Sequence, residues 1–424
     1  MINPAGTSPE SLTAGSAAPS RDPYAVLRNR DLLLYLVGRF MSSLGQQMLT
    51  VAVGWELYER TNSALALGLV GLTQMVPMIL FTLPAGHVAD NHDRKRIIVL
   101  MTFLIGLASL GLTWISSRHA DVFWIYFCLF VAGTARTFLW PASSAFLPHL
   151  VSRQQFSKAV TWSSGSFQLS SVVGPAAGGA LIAATHSAAP VYAANAAASL
   201  LCLTLISLVS RSHVVAIKEK MTLKNLIVGF NFVFSNPIIL GTITLDLFAV
   251  LLGGATALLP VYAKDILRAG PRGLGFLQAA LPLGSLVCAL FLAHRRPLQK
   301  AGRTMLWAVA IFGLTTIVFG FSRWFWLSML MLFVCGAVDN ISVVVRHTLV
   351  QLLTPDEKRG RVSAVNSLFI GTSNELGGFE SGTVAYWLGP VFSVVSGGIG
   401  TVLVVIAVAV LWPQIRAYGR LDAG

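Results

Sequence analysis

The chain has 424 residues, 55% of them hydrophobic and 11% charged, with a formal net charge of +13 and a mean hydropathy of +0.71. A soluble globular domain carries about 25% charged residues, so this chain has too little polar surface to fold in water, and soluble enzymes and binding modules are excluded. The positive excess does not mark a nucleic-acid partner, because the basic residues sit in short loops between apolar windows.

Residues 1–31, polar and rich in Pro, Ser and Ala, are expected to form a flexible N-terminal tail. Six apolar windows follow at 32–57, 64–89, 97–116, 122–147, 159–185 and 188–210, each close to the roughly 20 residues that cross a bilayer as a helix. The first begins too late and runs too long to be a cleavable secretion signal. The longest polar interruption, 211–236, reads as a linker, and its amphipathic stretch at 223–234 predicts a helix lying on the membrane surface. Six further windows at 238–263, 274–293, 304–321, 324–353, 362–388 and 391–412 lead to a short tail at 413–424. The expected fold class is an all-α membrane protein of twelve transmembrane helices, with six-helix bundles at 32–210 and 237–412.

Of the 30 Lys and Arg, six (Arg60, Arg118, Lys264, Arg268, Arg272 and Arg323) fall in loops opposite the N-terminus, three (Arg39, Arg136 and Arg346) fall inside helices, and the remaining 21 share the side of the N-terminus. The positive-inside rule places that side, with both termini and the linker, in the cytoplasm. A faint internal repeat supports the halving: Leu67-Gly68 recurs as Leu274-Gly275 and Arg96 as Arg303 after 207 residues, and Ala159-Val160 as Ala364-Val365 after 205. Cys128, Cys202, Cys288 and Cys335 all lie inside apolar windows without metal or redox spacing. Trp55, Tyr58, Trp124, Trp324, Trp326 and Trp412 fall near window ends and read as interface anchors.

The loop after the second window runs from Gly86 to Arg96 as GHVADNHDRKR. Gly86, Asp90, Arg94 and Lys95 match the positions of G-x-x-x-D-R-x-G-R-[RK], while Asn91 and Asp93 depart from it. In this the chain resembles the major facilitator superfamily, and the resemblance implies that fold, in two pseudo-symmetric halves. Its physical logic is a Gly that admits a close neighbour and an acid and bases that join helix ends. In the fifth window, Gly174, Pro175, Gly178 and Gly179 resemble the G-P-x-x-G-G core associated with antiporters of that superfamily, although Thr161 and Ser170 stand where the longer motif prefers Gly. Small residues in a membrane helix also serve plain packing. Many family members carry an Arg four residues before a Gly in helix 4; here Leu129 precedes Gly133, and Arg136 lies two turns further on.

In the second half, 259–265 (LPVYAKD), 354–362 (TPDEKRGRV) and 366–382 resemble the bacterial efflux branch that includes the enterobactin exporter. The same 354–357 segment reads locally as a Thr cap, a first-turn Pro and a capping-box Glu, and Ser152 with Gln155 repeats that spacing. Arg359 and Arg361 are candidate gating residues.

Seven ionisable residues lie inside predicted helices: Arg39, Arg136, Asp246, Asp339, Arg346, Glu375 and Glu380. At roughly 3 kcal/mol each near the bilayer centre, exposing all seven to lipid would cost about 20 kcal/mol, above a typical folding stability of about 5–15 kcal/mol. They must face a wet cavity or one another, and static interhelical pairs are the plain alternative to a transport role. In the family, helices 1, 4, 7 and 10 line the central cavity, which implies that five of the seven do so here. Counting along the helices puts Arg136, Asp339 and Glu375 near the midplane and Arg39, Asp246 and Arg346 toward the cytoplasm. Asp339 and Arg346 share a face, whereas Glu375 and Glu380 point apart. Arg39 and Asp246 are separated by the repeat period of 207 and are expected to pair across the halves when the cytoplasmic side closes.

The expected activity is alternating-access export of a small amphipathic molecule in exchange for protons, by a monomer in a bacterial cytoplasmic membrane. Its partners are the small-molecule substrate, protons and lipid, with no cofactor, metal or nucleic acid. Solute import by the same fold is one alternative, and a non-transporting membrane sensor or assembly partner is another. The buried charges argue against the latter, since a static bundle can replace them with Leu. No Walker lysine motif, G-x-S-x-G or H-E-x-x-H occurs, so neither an ATP-driven pump nor a hydrolase has support.

Overall fold

The structure, a computed structural model, describes residues 24–210, 223–294 and 300–419. Most of the expected N-terminal tail, the first half of the linker and the end of the C-terminal tail lie outside the described residues. A turn at Ala25–Arg28 leads into α1 (Arg30–Thr61), α2 (Ala64–Asn91), α3 (Arg94–Arg118), α4 (Val122–Leu150), α5 (Phe156–Thr185) and α6 (Ala189–Ser207). The second half comprises α7 (Leu223–Ser235), α8 (Pro237–Ile266), α9 (Gly270–Ala293), α10 (Ala301–Phe321), α11 (Phe325–Leu353), α12 (Asp356–Leu388), α13 (Pro390–Leu411) and the short α14 (Pro413–Ala417). No strand occurs among the described residues.

The helix boundaries follow from local chemistry. Asn29, Asp93, Asp121 and Asn236 each accept a backbone N–H from the first turn of the helix they precede, satisfying donors that the helix itself cannot. Asn62, His119 and His186 stop α1, α3 and α5 in the left-handed conformation, with φ of 46°, 50° and 52°, so that the chain reverses at once. Two expected caps do not form. The Thr354 hydroxyl donates back to the Val350 carbonyl at 2.5 Å and so closes α11 rather than opening α12, and α5 starts after Gln155 without a side-chain cap.

Among the described residues, ten helices are long and apolar enough to cross a membrane, by length and composition. α1 and α12, with 32 and 33 residues, have the length without the hydropathy; they carry Arg39, Gln46, Gln47 and Glu56, and Asn366, Asn374, Glu375 and Glu380. Of the expected interface anchors, Trp124, Trp324 and Trp326 are at least half exposed. Trp55 and Tyr58 are not anchors: at 9% and 6% exposure they are packed inside the protein.

In the first half α1 packs on α5 and α6, α3 on α4 and α6, and α2 on α4. In the second, α11 packs on α9 and α10, α13 on α10, and α8 on α12 and α13. The halves meet along α2 with α12 and along α5 with α9. Asn29 donates to the Leu150 carbonyl at 2.7 Å and Ala301 N–H to the Gly419 carbonyl at 3.0 Å, which defines one end of the bundle, the terminus side; the opposite end is the distal side. α7 packs against α12 and α8: Val233 is fully buried, Phe230 meets Phe369 edge-on at 5.7 Å, and the Lys358 ammonium lies 5.0 Å over the Phe232 ring.

Candidate functional site

A cavity of about 710 Å³ separates the halves, walled by α1, α2, α4 and α5 on one side and α8, α9 and α12 on the other. Its lining is largely apolar, with Val70, Leu129, Phe167 and Leu281 among the contributors, and polar groups are few: Gln47, Gln74, Ser171, Gln278, Arg136 and Glu375 carry most of its side-chain chemistry. This is the composition of a small-molecule site, apolar walls with a few placed polar groups. α11 contributes no described residue to the lining, so Asp339 and Arg346 do not stand on this wall as the resemblance implied.

The distal side is closed above the cavity. The Tyr58 hydroxyl donates to the Asp265 carboxylate, the Lys264 ammonium donates to Asn62 Oδ1 at 2.7 Å and lies 5.2 Å over the Tyr58 ring, and Gly54 lies against Pro260. Lower down, Gln168 Nε2 donates to the Pro282 carbonyl at 3.1 Å. Glycines set the two interfaces between halves. A Cβ on Gly382 would lie 2.6 Å from the Gly68 Cα, and one on Gly179 would lie 2.9 Å from the Gly275 Cα. Such backbone approach excludes any side chain.

Only two of the seven intrahelical charges line the cavity. Arg136 of α4 donates to Gln74 Oε1 on α2, and Glu375 of α12 faces it from the other half, within electrostatic reach but without a direct ion pair among the described residues. The other charges are placed elsewhere. Asp246 of α8 forms a direct ion pair with Arg346 of α11, the two residues being 7% and 3% exposed. Asp339 and Ser342 flank that pair around a void of about 10 Å³, the size of one water. Arg39 stands by Tyr35 and Cys202 in the first half; the partner of Asp246 in this structure is Arg346, not Arg39. Glu380 accepts from Ser381 Oγ at 3.4 Å.

One buried acid escaped sequence reasoning. Glu56, 5% exposed, accepts from the Tyr192 hydroxyl at 2.8 Å and pairs with Arg60 at 3.2 Å. The signal was the four-residue spacing of Glu56 and Arg60 within a single helix.

The two cations of the loop motif make their contacts inside the first half. Arg94 donates to the Ala89 and Ala145 carbonyls at 3.4 and 3.2 Å and contacts His149, while the Lys95 ammonium donates to the Ser207 and Val209 carbonyls at 2.8 and 2.6 Å. These cations thus sit on the C-terminal ends of α2, α4 and α6, where unpaired carbonyls and the helix dipole favour positive charge. Gly86 and Asp90 lie in the last two turns of α2, Asp90 half-buried. In α5, Gly174 and Gly178 lie against Gln47 and Met48 of α1, Gly179 lies against Pro271 and Gly275 of α9, and Pro175 reaches the cavity. Arg359 donates to the Gln351 carbonyl at 3.3 Å, tying the start of α12 to α11.

Comparison with known proteins agrees with this architecture. The family described as transmembrane secretion effector matches residues 21–420. The enterobactin exporter EntS of Shigella flexneri is 26% identical over 391 residues, covering 90% of this chain and 92% of that protein, and its counterpart in Citrobacter koseri is 27% identical over 383 residues with the same coverage. Among solved structures, a bacterial homologue of the human lysosomal transporter Spinster, in an inward-facing and occupied conformation, superposes with a TM-score of 0.74 over 95% of this chain and 100% of its own at 13% identity. A POT family transporter in complex with 5-aminolevulinic acid gives 0.73 over 91% and 97% at 12% identity. The chain is thus a multi-pass membrane protein of the major facilitator fold, a secondary transporter rather than an enzyme, and it belongs to the transmembrane secretion effector family.

Proposed function

We propose that this transporter exports a small amphipathic molecule across a bacterial cytoplasmic membrane by alternating access, in exchange for protons. The observation that carries the reading is the cavity itself: apolar walls with one Arg and one Glu on opposite halves, a lining suited to a cargo with both an apolar body and polar groups. The name of its relatives, enterobactin exporter, supports the direction, and so does the antiporter-like run at Gly174, Pro175, Gly178 and Gly179. With the positive-inside orientation, both termini are cytoplasmic and the closed distal side faces outward, so this conformation is the one that collects cargo from within. Twelve helices then cross the membrane, in bundles at 32–210 and 237–412 joined by a linker. α1 and α12 are included because 32 and 33 residues rise about 48–50 Å, more than the roughly 30 Å hydrocarbon core.

Glu375 in the cavity and Asp339 beside the Asp246–Arg346 pair are the acids proposed to exchange protons. Everted vesicles energised by respiration, with enterobactin as the first probe, test the reading. Uptake accompanied by partial loss of the pH gradient is expected. Uptake that persists unchanged when the pH gradient is collapsed and the potential kept intact would remove proton coupling; uptake confined to right-side-out vesicles would make the chain an importer.

A further inference from the structure

The seven intrahelical charges, three bases and four acids, are divided unevenly in space by the fold. Asp246 and Arg346 are paired inside the second half and Arg39 stands apart, which leaves the cavity with Arg136 and Glu375 alone. Around Arg136 the hydrogen-bond inventory is one-sided. A guanidinium carries five N–H donors and accepts nothing, so Gln74 must turn its Oε1 toward it, as it does. That choice commits the amide NH₂ of Gln74 to the opposite direction, and no acceptor meets it among the described residues. Arg136 Nε is itself buried without a hydrogen-bond partner among the described residues. Both side chains border the cavity.

We propose that this Arg136–Gln74 corner receives a planar oxyanion of the cargo, a carboxylate or its equivalent, while the apolar part of the cargo lies against Val70 and Leu129. The inference rests on the reading of the cavity as the cargo site. A donor left unpaired is costly, and the Nη groups of Arg136 with the amide NH₂ of Gln74 give this corner of the cavity more donors than acceptors among the described residues, which suits an acceptor-rich group. The Nε of Arg136 is sealed from the cavity, so the contact falls to the terminal Nη groups, whose paired N–H donors match the two oxygens of a carboxylate. A cationic head group would have to compete with Arg136 for Glu375 and would lie beside the Arg136 charge in the same chamber. Arg346 has the same orphaned Nε, yet it is 3% exposed, already ion-paired with Asp246 and absent from the cavity lining. The difference in access singles out Arg136.

The test uses the purified full chain and three probes with one apolar body: naphthoate, naphthamide and naphthylmethylammonium, with binding followed by calorimetry. Naphthoate is expected to bind about tenfold or more tightly than naphthamide, the order of a charge-assisted hydrogen bond over a neutral one, with the ammonium weakest. Gln74→Glu places a carboxylate in the corner and is expected to erase the preference, with an unchanged thermal unfolding midpoint in detergent showing that the chain is still folded; Arg136→Lys, which keeps the charge and loses the paired donors, is expected to reduce it. Naphthoate binding no better than naphthamide, including the case in which neither binds, overturns the proposal, as does a preference that survives Gln74→Glu. A chain that prefers naphthoate but carries no probe into everted vesicles keeps this recognition and loses the export reading instead.

Discussion

The hydroxyl of Tyr58 donates to the carboxylate of Asp265, and the two residues are 207 positions apart, the period of the internal repeat. Residues related by a two-fold rotation can touch only near the rotation axis, so this contact locates the pseudo-axis at the distal closure. Arg39 and Asp246 share the same separation but do not meet here. Equivalence in the repeat brings two residues together only where the helices converge.

Tyr58→Phe removes a hydrogen bond to a charged acceptor, an interaction of about 1.5–3 kcal/mol. It is expected to shift the population toward distally open states without affecting insertion. Spin labels at the exposed Glu59 and Arg268 should report a longer distance or a broader distribution in the variant. An unchanged distribution would mean that Lys264, Asn62 and the helix packing hold the closure alone.

The Asp246–Arg346 pair is buried on both sides. Asp246→Asn leaves a cation without its partner, and breaking a buried pair in this way costs about 3–5 kcal/mol. Replacing both residues by Leu and Met should recover most of that stability, because a buried pair gains little over apolar packing. Thermal unfolding in detergent checks both outcomes. Exchanging Asp246 with Arg346 should restore more transport than exchanging Arg39 with Asp246; the reverse ranking would show that the partner of Asp246 changes during the cycle.

Gly382→Ala introduces a Cβ 2.6 Å from the Gly68 Cα. Overpacking of this kind costs about 1–3 kcal/mol, and α2 and α12 are expected to separate, lowering both stability and transport. Gly360→Ala in the same helix meets nothing within 4 Å and should be neutral on both measures. Equal melting temperatures and transport for the two variants would refute the tight crossing.

Asp90→Asn is expected to slow turnover while leaving insertion intact, on the proposal that the loop motif biases the carrier between conformations. Arg94 and Lys95 hold the ends of α2, α4 and α6 within one half in this structure, which leaves Asp90 available for the other half when the terminus sides approach. A correctly inserted variant with unchanged turnover would reduce Asp90 to a turn residue.

Much of the fold was legible because lipid demands long apolar windows, whereas the caps at Asn29 and Asn236 emerged only from the structure. The site was legible only in part. Arg136 and Glu375 could be listed from their depth, but membership of the cavity depends on helix rotation, and so does the choice of Arg346 over Arg39 as the partner of Asp246. Linear spacing shows which residues share a face of one helix; it does not show which neighbouring helix that face meets. Glu56 failed for a different reason: it sits near a window end, where an acid passes for a loop residue. Thr354 had the right spacing for a cap, but its hydroxyl found a nearer acceptor in Val350.

The two glycine crossings carry a mechanical consequence. Gly68 against Gly382 and Gly179 against Gly275 are two fulcrums at pseudo-equivalent places, and two fulcrums fix one line about which the halves can tilt. From Gly68 to the end of α2 at Asn91 is a lever of about 35 Å at 1.5 Å per residue. A tilt of about 10° that preserves both crossings would swing the terminus side by about 6 Å, on the scale of rigid-body domain motions, while the fulcrums themselves stay nearly still. Gearing of this kind lets backbone contacts a few ångströms wide control an opening large enough to admit a molecule.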